Sequence, residues 1–429
     1  MEIQRSKYLS ALIARRHNGF VKVITGIRRA GKSYLMNTLF YRYLISDGID
    51  SKHIIRFAFD SADDLASIGE NIEAFSIRKV NPMKFMDHIK KTMTDDGMYY
   101  LLLDEVQRLE SFEAVLNGYL RKSNIDIYVT GSNSKFLSSD ILTEFEGRGD
   151  EIHVFPLVFS EFFSAGDSSP EEAFDDYMTY GGLPAIVLMK TEEQKASYLE
   201  AQMKRVYLKD IIARYNLDPD SEISELVEVL ASGISCLTNP TKLSNTFKSA
   251  RKSSLSVATI AKYISYLQDA FIINKAQQYD IKGKRYIATP FKIYFEDVGL
   301  RNALLNFRQV EPTHLMENII FNELRYRGYR VDVGVVEYRE KDNEGKDRRK
   351  RLEIDFVANQ GSKRYYIQSA YAIPDETKWR QETNSFDKTH DSFKKLVIVD
   401  RYQKPKRTEK GYVTMGLTEF LLDPNSLEA

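Results

Sequence analysis

The sequence has a single cysteine and no excess of charge of either sign. Cys236 can form neither an internal disulfide nor a metal site built from several thiolates, so a reducing, cytoplasmic location is expected. The 61 basic and 61 acidic side chains cancel, which removes bulk electrostatics as a reason to expect nucleic-acid binding. A nucleic-acid partner would therefore have to be recognised by a local patch.

Long apolar runs are also missing. No run approaches the roughly 20 residues that a membrane-spanning helix needs, and the start MEIQRSKYLS lacks the apolar core of a signal peptide. We therefore expect no membrane partner. Cys236 itself lies in the mildly apolar stretch SGISCLTN, where a buried structural thiol is expected.

What the chain does have is ample apolar surface to bury. The length of 429 residues predicts two to four domains, and the 43% of hydrophobic residues predicts that they are folded. In residues 1–160, short apolar runs alternate with helix-length segments, as in α/β domains with a parallel sheet. The predicted strands begin with VKVIT at 21, HIIRFAF at 53, MYYLLLDE at 98, IDIYVT at 125 and EIHVF at 151.

Three further segments are predicted after this domain. Residues 161–221 have a helical pattern interrupted by the turn signal GGLP at 181, which favours a helical lid or connector. Residues 222–305 combine helices with two strands around Lys282-Gly283-Lys284, the pattern of a winged helix whose recognition helix would be 256–269. Residues 306–429 alternate helices and strands and predict a second α/β domain.

Residues 26–33, GIRRAGKS, match the phosphate-binding pattern G-x-x-x-x-G-K-[ST]. The match lies between a predicted strand and a predicted helix, where backbone N–H groups can point at phosphates. Lys32 would reach the β- and γ-phosphates of ATP, and the Ser33 hydroxyl would bind Mg²⁺. The candidate nucleotide-binding residues are Gly26, Ile27, Arg28, Arg29, Ala30, Gly31, Lys32, Ser33 and Asp104.

A pair of carboxylates, Asp104 and Glu105, ends the apolar strand MYYLLLDE. Charges at the end of a buried strand are costly unless they have a chemical role. Asp104 would help to hold Mg²⁺, and Glu105 would act as general base on the attacking water. A solvated turn after an edge strand is the alternative for this pair when it is taken alone.

Two more residues are catalytic candidates beside Lys32 and Glu105. Ser132 or Asn133, after the strand IDIYVT, could face the γ-phosphate or the attacking water, or could equally be a helix N-cap. Arg148 could stabilise charge on the transferring phosphoryl group, in its own chain or from a neighbouring subunit. An ordinary surface arginine is the equally weighted alternative for Arg148.

These motifs resemble the prokaryotic AAA-like ATPases that carry a C-terminal domain called DUF4143. The matching pieces, in order, are GIRRAGKS, YYLLLDEVQ, VTGSNS, the run from Gly147 through Pro156 to Phe162, YGGLP, YLKDI and EIDFV. The resemblance implies a P-loop NTPase of the additional-strand class, with the strand before VTGSNS lying between the phosphate-loop strand and the Asp-Glu strand. It implies no particular cellular task.

The C-terminal segment resembles the PD-(D/E)XK nuclease core with parts missing. Glu317 and Asp355 occupy positions of metal-binding acids, and hard oxygen ligands suit Mg²⁺. Gln368 stands where a second carboxylate belongs, and Ala370 stands where the lysine belongs. A lysine from elsewhere, such as Lys363 or Lys394, could compensate. We therefore expect an inactive nuclease-like fold used for docking.

Three functions remain open from the sequence. The first is a Mg²⁺-dependent ATPase whose nucleotide state controls the tail, acting on DNA through basic patches. The second is an ATP-gated module that binds a protein partner with little hydrolysis, and the third and weakest is an ATP-regulated nuclease. Assembly into a homo-oligomer is left open. The basic patches are residues 339–351, with seven basic and four acidic residues (7 − 4 = +3), then Lys248, Arg251 and Lys252, and Lys282, Lys284 and Arg285.

Overall fold

The computed structural model describes residues 3–71, 79–131, 145, 147–218, 222–251, 255–341, 346–400 and 402–428. These residues fall into two compact units. The first comprises Met1–Pro156 with Asp269–Phe271, and the second comprises Leu157–Gln268 with Ile272–Ala429. Within the described ranges no helix has the length and apolar character needed to cross a membrane.

The first unit is built on a five-stranded parallel sheet in the order β2-β3-β4-β1-β5. Every residue of β1, β3 and β4 is buried, as expected for central strands covered on both faces. β4 lies between β1 and β3, so the strand order expected of the additional-strand class is confirmed. The strands are β1 (Val21–Thr25), β2 (Ile54–Ala58), β3 (Tyr99–Asp104), β4 (Ile125–Thr130) and β5 (Gly149–His153).

Helices link these strands and pack on the sheet. On one face Phe57, Phe59 and Phe85 form an aromatic group in the core, with the rings of Phe59 and Phe85 centred 5.0 Å apart. The helix that carries Phe85 starts with Asn81, whose side chain accepts a hydrogen bond from Met83 N, followed by proline at the first turn. The helices are Ser6–Ala14, Lys32–Tyr34 continuing through Leu35–Phe40 into Tyr41–Ser46, Ala62–Ser67, Pro82–Thr92 and Phe112–Leu120.

The second unit begins as a helical assembly and ends as a sheet covered by helices. The expectation of a mainly helical pattern after residue 160, interrupted at GGLP, agrees with the observed elements. Its helices are Phe159–Ser164, Pro170–Tyr180, Pro184–Val187, Glu192–Ala201, Gln202–Leu208, Lys209–Tyr215, Ile223–Ser232, Pro240–Thr246, Phe247–Arg251, Val257–Asp269, Val298–Leu304, Pro312–Tyr326, Glu376–Asp387 and Leu417–Leu422.

The sheet of the second unit has eight strands in the order β12-β13-β11-β10-β9-β8-β6-β7. β8, β9 and β10 are antiparallel neighbours, whereas β11 runs parallel to β10 and to β13. The strands are β6 (Ile273–Asp280), β7 (Arg285–Phe295), β8 (Arg330–Lys341), β9 (Asp347–Gln360), β10 (Lys363–Ala370), β11 (Lys394–Val399), β12 (Lys406–Arg407) and β13 (Val413–Gly416).

The hairpin of β6 and β7 does not form a separate wing. Its turn lies at Lys282–Lys284 as the sequence predicts, but β6 also pairs in parallel with β8, from Gln278↔Val333 to Asp280↔Val335. An unpaired strand edge would leave N–H and C=O groups open, and β8 provides their partners. The expected winged-helix fold is therefore not confirmed, and the hairpin belongs to the same sheet as β8–β11.

Two glycines of the YGGLP sequence allow the backbone to pack at van der Waals contact. A Cβ at Gly182 would lie 2.0 Å from the carbonyl oxygen of Leu157, and one at Gly181 would lie 2.3 Å from Oδ1 of Asp297. The buried Asp297 carboxylate accepts hydrogen bonds from Gly182 N (2.7 Å) and Leu300 N (2.9 Å), and burial raises the pKa of Asp297 to about 6. The YGGLP turn is thus a structural junction within the second unit.

The prediction that Cys236 is a core residue is wrong, because its side chain is exposed. The chain turns after the helix Ile223–Ser232, and Ser235 adopts a left-handed backbone with φ 63°. This turn directs Ile234 and Ser235 inward and leaves Cys236 facing solvent. Apolar composition alone did not reveal which side of the turn each residue takes.

We expect Gly182→Ala to destabilise the second unit by about 2 kcal/mol or more, because the added methyl group has no space beside the Leu157 carbonyl. Gly166→Ala is the control, since its nearest atom would lie 3.9 Å away. The measurement is thermal unfolding followed by the fluorescence of the single tryptophan, Trp379, which is partly buried and packs against a core cluster of the second unit. Equal midpoint temperatures for the two variants would contradict the close-packing argument.

Candidate functional site

The loop of residues 26–33 lies at the carboxyl end of β1 and leads into the helix that begins at Lys32. Gly26 has a φ of 129°, and a Cβ there would lie 2.1 Å from the carbonyl oxygen of Val154, so a side chain cannot be accommodated. Gly31 also has a positive φ, of 94°. Both glycines of the motif are therefore required by the backbone path itself.

Within this loop the motif side chains divide into buried and solvent-facing groups. Ile27 and Ala30 are fully buried and anchor the loop, whereas Arg29 and Ser33 are exposed and Arg28 is half-buried. The exposed hydroxyl of Ser33 stands at the first turn of the helix, where backbone N–H groups have no partner within the helix. The loop thus presents a hydroxyl and helix donors on its open side.

Lys32 is the most constrained charged group of the loop. Its Nζ donates hydrogen bonds to the carbonyl oxygens of Gly26 (2.9 Å) and Ile27 (3.0 Å), and only 5% of the residue is exposed. Burial lowers the pKa of Lys32 to about 8, although the carboxylates of Glu105 and Asp104 oppose this shift. A buried ammonium held by neutral carbonyls is well suited to pair with an anion.

Asp104 and Glu105 lie at the carboxyl end of β3, two strands from β1 in the same sheet. Asp104 accepts hydrogen bonds from the hydroxyl of Thr130 and, at 3.3 Å, from Nδ2 of Asn37. The Thr130 hydroxyl oxygen in turn accepts from the backbone N–H of Glu105 at 3.1 Å. One threonine at the end of β4 therefore fixes both acidic positions.

The backbone of Glu105 is left-handed, with φ 52° and ψ 45°. Such a conformation is unfavourable for a residue with a Cβ and is found where the surroundings impose it, often at functional sites. Burial raises the pKa of Glu105, while the nearby charge of Lys32 lowers it in part. The Gln107 amide donates a hydrogen bond to the Glu105 carboxylate and orients it.

Thr130, Asn37 and Gln107 contact the acidic pair but were not identified from the sequence. Thr130 is the last residue of the predicted strand IDIYVT and precedes the candidate Ser132 by two positions. Gln107 lies within the motif YYLLLDEVQ. Ser132 and Asn133 lie outside the described residues, and their predicted role stays a prediction.

Arg148 lies at the other end of the sheet. Its carbonyl oxygen accepts a hydrogen bond from Val21 N (2.9 Å) at the start of β1, whereas the phosphate loop follows Thr25. The intervening residues of an extended strand span about 16 Å. The fold therefore does not bring the Arg148 backbone to the loop of its own chain, and a role from a neighbouring subunit stays a prediction.

The second unit brings Glu317 and Asp355 together, as predicted, but around an unpredicted lysine. Lys292 Nζ lies 2.8 Å from Oε1 of Glu317 and 3.5 Å from Oδ1 of Asp355. Gln368 is buried on β10 beside this group, and its Oε1 has no hydrogen-bond partner among the described residues. In the described part of the chain, no group of three or more His, Cys, Asp or Glu residues is arranged to hold a metal ion.

The two lysines suggested as replacements for the missing nuclease lysine are engaged elsewhere. Lys363 pairs with Glu428 at 2.5 Å, and Lys394 donates to the carbonyl oxygen of Leu427 at 2.9 Å. Both contacts tie the sheet to the C-terminal end of the chain. These contacts give no support to the suggestion that either lysine replaces the missing one, which stays a prediction.

Comparison with protein families identifies two segments of the chain. A family model described as an AAA domain matches residues 18–163, and one described as a domain of unknown function, DUF8612, matches residues 171–311. The expected DUF4143 domain is not confirmed. Among solved structures, the Aeropyrum pernix ORC1 protein in complex with DNA is similar over 71% of this chain and 92% of that chain. The two chains are 12% identical there, and the TM-score is 0.35.

Two relatives span most of the chain. An uncharacterized protein of Methanocaldococcus jannaschii is 26% identical over 384 residues, covering 86% of this chain and 78% of its own length. An uncharacterized protein of Haemophilus influenzae is 34% identical over 428 residues, covering 98% of both chains. The chain therefore belongs to the same family as the Haemophilus influenzae protein, and its residues 18–163 are an AAA domain.

Proposed function

We propose that this chain is a Mg²⁺-dependent ATPase whose nucleotide state controls the segments that follow the AAA domain. The observation that carries the proposal is the arrangement of Asp104 and Glu105, both held by Thr130 and close enough to Lys32 for their charges to act on it. A phosphate-binding lysine beside a metal-type acid and a buried glutamate is the equipment that phosphoryl transfer to water requires.

The residues of the loop fit a nucleotide phosphate. The helix that begins at Lys32 offers backbone N–H groups at its first turn, and glycines at positions 26 and 31 keep the loop free of Cβ atoms. Lys32 would exchange its two carbonyl partners for phosphate oxygens, which carry full negative charge and bind an ammonium more strongly than neutral carbonyls do.

The residues also fit Mg²⁺, because Ser33 and Asp104 supply the hard oxygen atoms that this ion prefers. When bound, Mg²⁺ would neutralise charge on the phosphates. Glu105 would accept a proton from the attacking water as the water oxygen bonds to the γ-phosphorus and the bond to the ADP oxygen breaks. Its raised pKa makes the carboxylate a stronger base than a solvated glutamate.

The fold of the tail supports a nuclease-like module without nuclease chemistry. The order of helix Pro312–Tyr326, antiparallel β8–β10, helix Glu376–Asp387 and parallel β11 is the arrangement expected of the PD-(D/E)XK core. On β10, Gln368 and Ala370 stand where the second carboxylate and the lysine of that core belong, which favours a docking role for this module. An ATP-gated protein-binding module with little hydrolysis remains the alternative to an ATPase that acts on DNA.

One basic patch, near the start of β9, supports DNA as a partner. After its first residue, Asp347, the strand β9 has four consecutive exposed basic residues at positions 348–351, beyond the buried part of the sheet. Three of them pair with acidic residues of β8: Arg349 and Arg351 with Glu337, and Lys350 with Glu340. Phosphates would have to compete with these carboxylates, so we expect weak binding that depends strongly on salt.

We expect Mg²⁺-dependent ATP turnover that Glu105→Gln lowers about 100-fold or more in kcat while ATP still binds, because the amide cannot accept the proton. Lys32→Ala should abolish ATP binding itself. The measurements are phosphate release and binding of a fluorescent ATP analogue, with the exposed Glu110→Gln as the matched control. If the wild-type chain turns over no more ATP than the Glu105→Gln variant, the enzymatic proposal is wrong.

We expect Gln107→Ala to shift the acidic limb of the kcat–pH profile to higher pH. The Gln107 amide stabilises the ionised carboxylate and thus lowers the pKa of Glu105, so removing this donor raises it. KM for ATP should stay unchanged, because Gln107 has no contact with the phosphate loop among the described interactions. An acidic limb that stays in place would show that Gln107 does not position Glu105.

We expect a labelled DNA duplex to bind with an affinity that falls steeply between low and physiological salt. Arg349→Ala/Arg351→Ala should reduce the log–log salt slope by about 0.9 for each lost phosphate contact. Lys378→Ala/Arg380→Ala is the matched control, because these residues are exposed and ion-paired on a helix of the same unit. Binding absent at low salt, with or without ATP, would favour the protein-binding alternative.

A further inference from the structure

A lysine lies at the centre of a buried acidic cluster in the second unit. Lys292 is 4% exposed, and its Nζ lies within 3.5 Å of oxygen atoms of Glu317, Glu353 and Asp355. The Glu317 and Asp355 side chains are about nine-tenths buried, whereas Glu353 is 32% exposed. We call these four residues the Lys292 cluster.

Separate parts of the chain supply the cluster. Lys292 belongs to β7 and to the segment matched by DUF8612, whereas Glu317, from a helix, and Glu353 and Asp355, from β9, follow that segment. The hydroxyl of Tyr294, also on β7, donates to Oε1 of Glu317 at 2.6 Å. The cluster therefore joins two sequence segments within one folded unit.

Charge explains why a lysine lies here. Three carboxylates that share a buried site repel each other and lose their hydration, so they need a cation among them. The Nζ of Lys292 lies within 3.5 Å of an oxygen atom of each carboxylate and supplies that cation.

Apart from the lysine, the cluster contains oxygen atoms of the kind that bind a divalent cation. Carboxylates on a helix and on β9 provide hard oxygen atoms, and within the described part of the chain the buried Oε1 of Gln368 has no hydrogen-bond partner. Gln368 follows Ile367, which pairs with Phe356, so Gln368 is adjacent to Asp355 across the two strands. Ser369 N donates to Oδ2 of Asp355 at 2.8 Å and fixes that carboxylate.

We propose that Lys292 is the resident cation of this cluster: its ammonium takes the position that a divalent metal ion holds in a nuclease-like fold. The native domain therefore folds and works without a metal ion there. Removing the ammonium would convert the cluster into a divalent-cation site with Glu317, Asp355 and Gln368 among its ligands. This inference stands on the cluster alone and does not depend on ATP hydrolysis.

The test uses the full-length chain without nucleotide and follows thermal unfolding by Trp379 fluorescence, in EDTA or in millimolar Mn²⁺. Trp379 packs against the core that contains Ile354 and Val357 of β9, so it reports on this unit. The wild-type midpoint should be the same in both conditions. Lys292→Met should unfold at a lower temperature in EDTA and gain about 5 °C or more in Mn²⁺.

Lys292→Met/Asp355→Asn is the matched control, and we expect it to lose most of the Mn²⁺ response. Any response from the nucleotide site is common to all variants and is removed by comparison with the wild type. A wild-type response that Asp355→Asn abolishes would overturn the proposal by revealing a native metal site. A folded Lys292→Met variant that responds no more than the wild type would overturn it as well.

If Lys292→Met does not fold, a further variant that removes the ammonium and two of the carboxylates together separates charge compensation from packing. Lys292→Met/Glu317→Gln/Asp355→Asn replaces the ammonium and two carboxylates by neutral groups of similar size. If compensation of charge is the role of Lys292, this variant should fold and show no Mn²⁺ response. If it also fails to fold, Lys292 acts through packing, and the proposal is wrong.

Discussion

Lys32 and Lys292 each place an ammonium group where water is excluded, and a buried charge is stable where neighbouring groups compensate it. In the first unit the compensation at Lys32 comes from the carbonyl oxygens of Gly26 and Ile27, with acidic groups near enough to act on it. In the second unit it comes from carboxylates in direct contact. The two lysines therefore differ in the groups that compensate their charge: mainly neutral carbonyl oxygens at Lys32 and carboxylates at Lys292.

The parallel sheet of the first unit brings the relevant groups to one edge. β3, β4 and β1 are neighbours that run in the same direction, so their carboxyl ends present Asp104, Thr130 and the phosphate loop side by side. Thr130 contributes a hydroxyl that donates to one acidic residue and accepts from the backbone of the next. A single hydroxyl group thus contacts both members of the acidic pair.

Local patterns predicted much of this from the sequence. The strands of the first unit were predictable because each is a short apolar run, and the phosphate loop because its spacing reflects the backbone path. Lys292 was not predictable, since its partners are 25 to 63 positions away and a lysine in the strand FKIYF carries no sign of burial. The pairing of β6 with β8 and the exposure of Cys236 also depend on contacts between distant segments.

The two lysines illustrate how the same residue type supports opposite outcomes. Carbonyl oxygens carry partial charge, so an ammonium held by them can transfer to a phosphate with a gain in electrostatic energy. Ionised carboxylates carry full charge, so the acidic groups around Lys292 attract its ammonium more strongly than neutral carbonyl oxygens would. Under the proposed function, Lys32 would exchange its carbonyl partners for a phosphate, whereas the carboxylates around Lys292 would hold its ammonium in place.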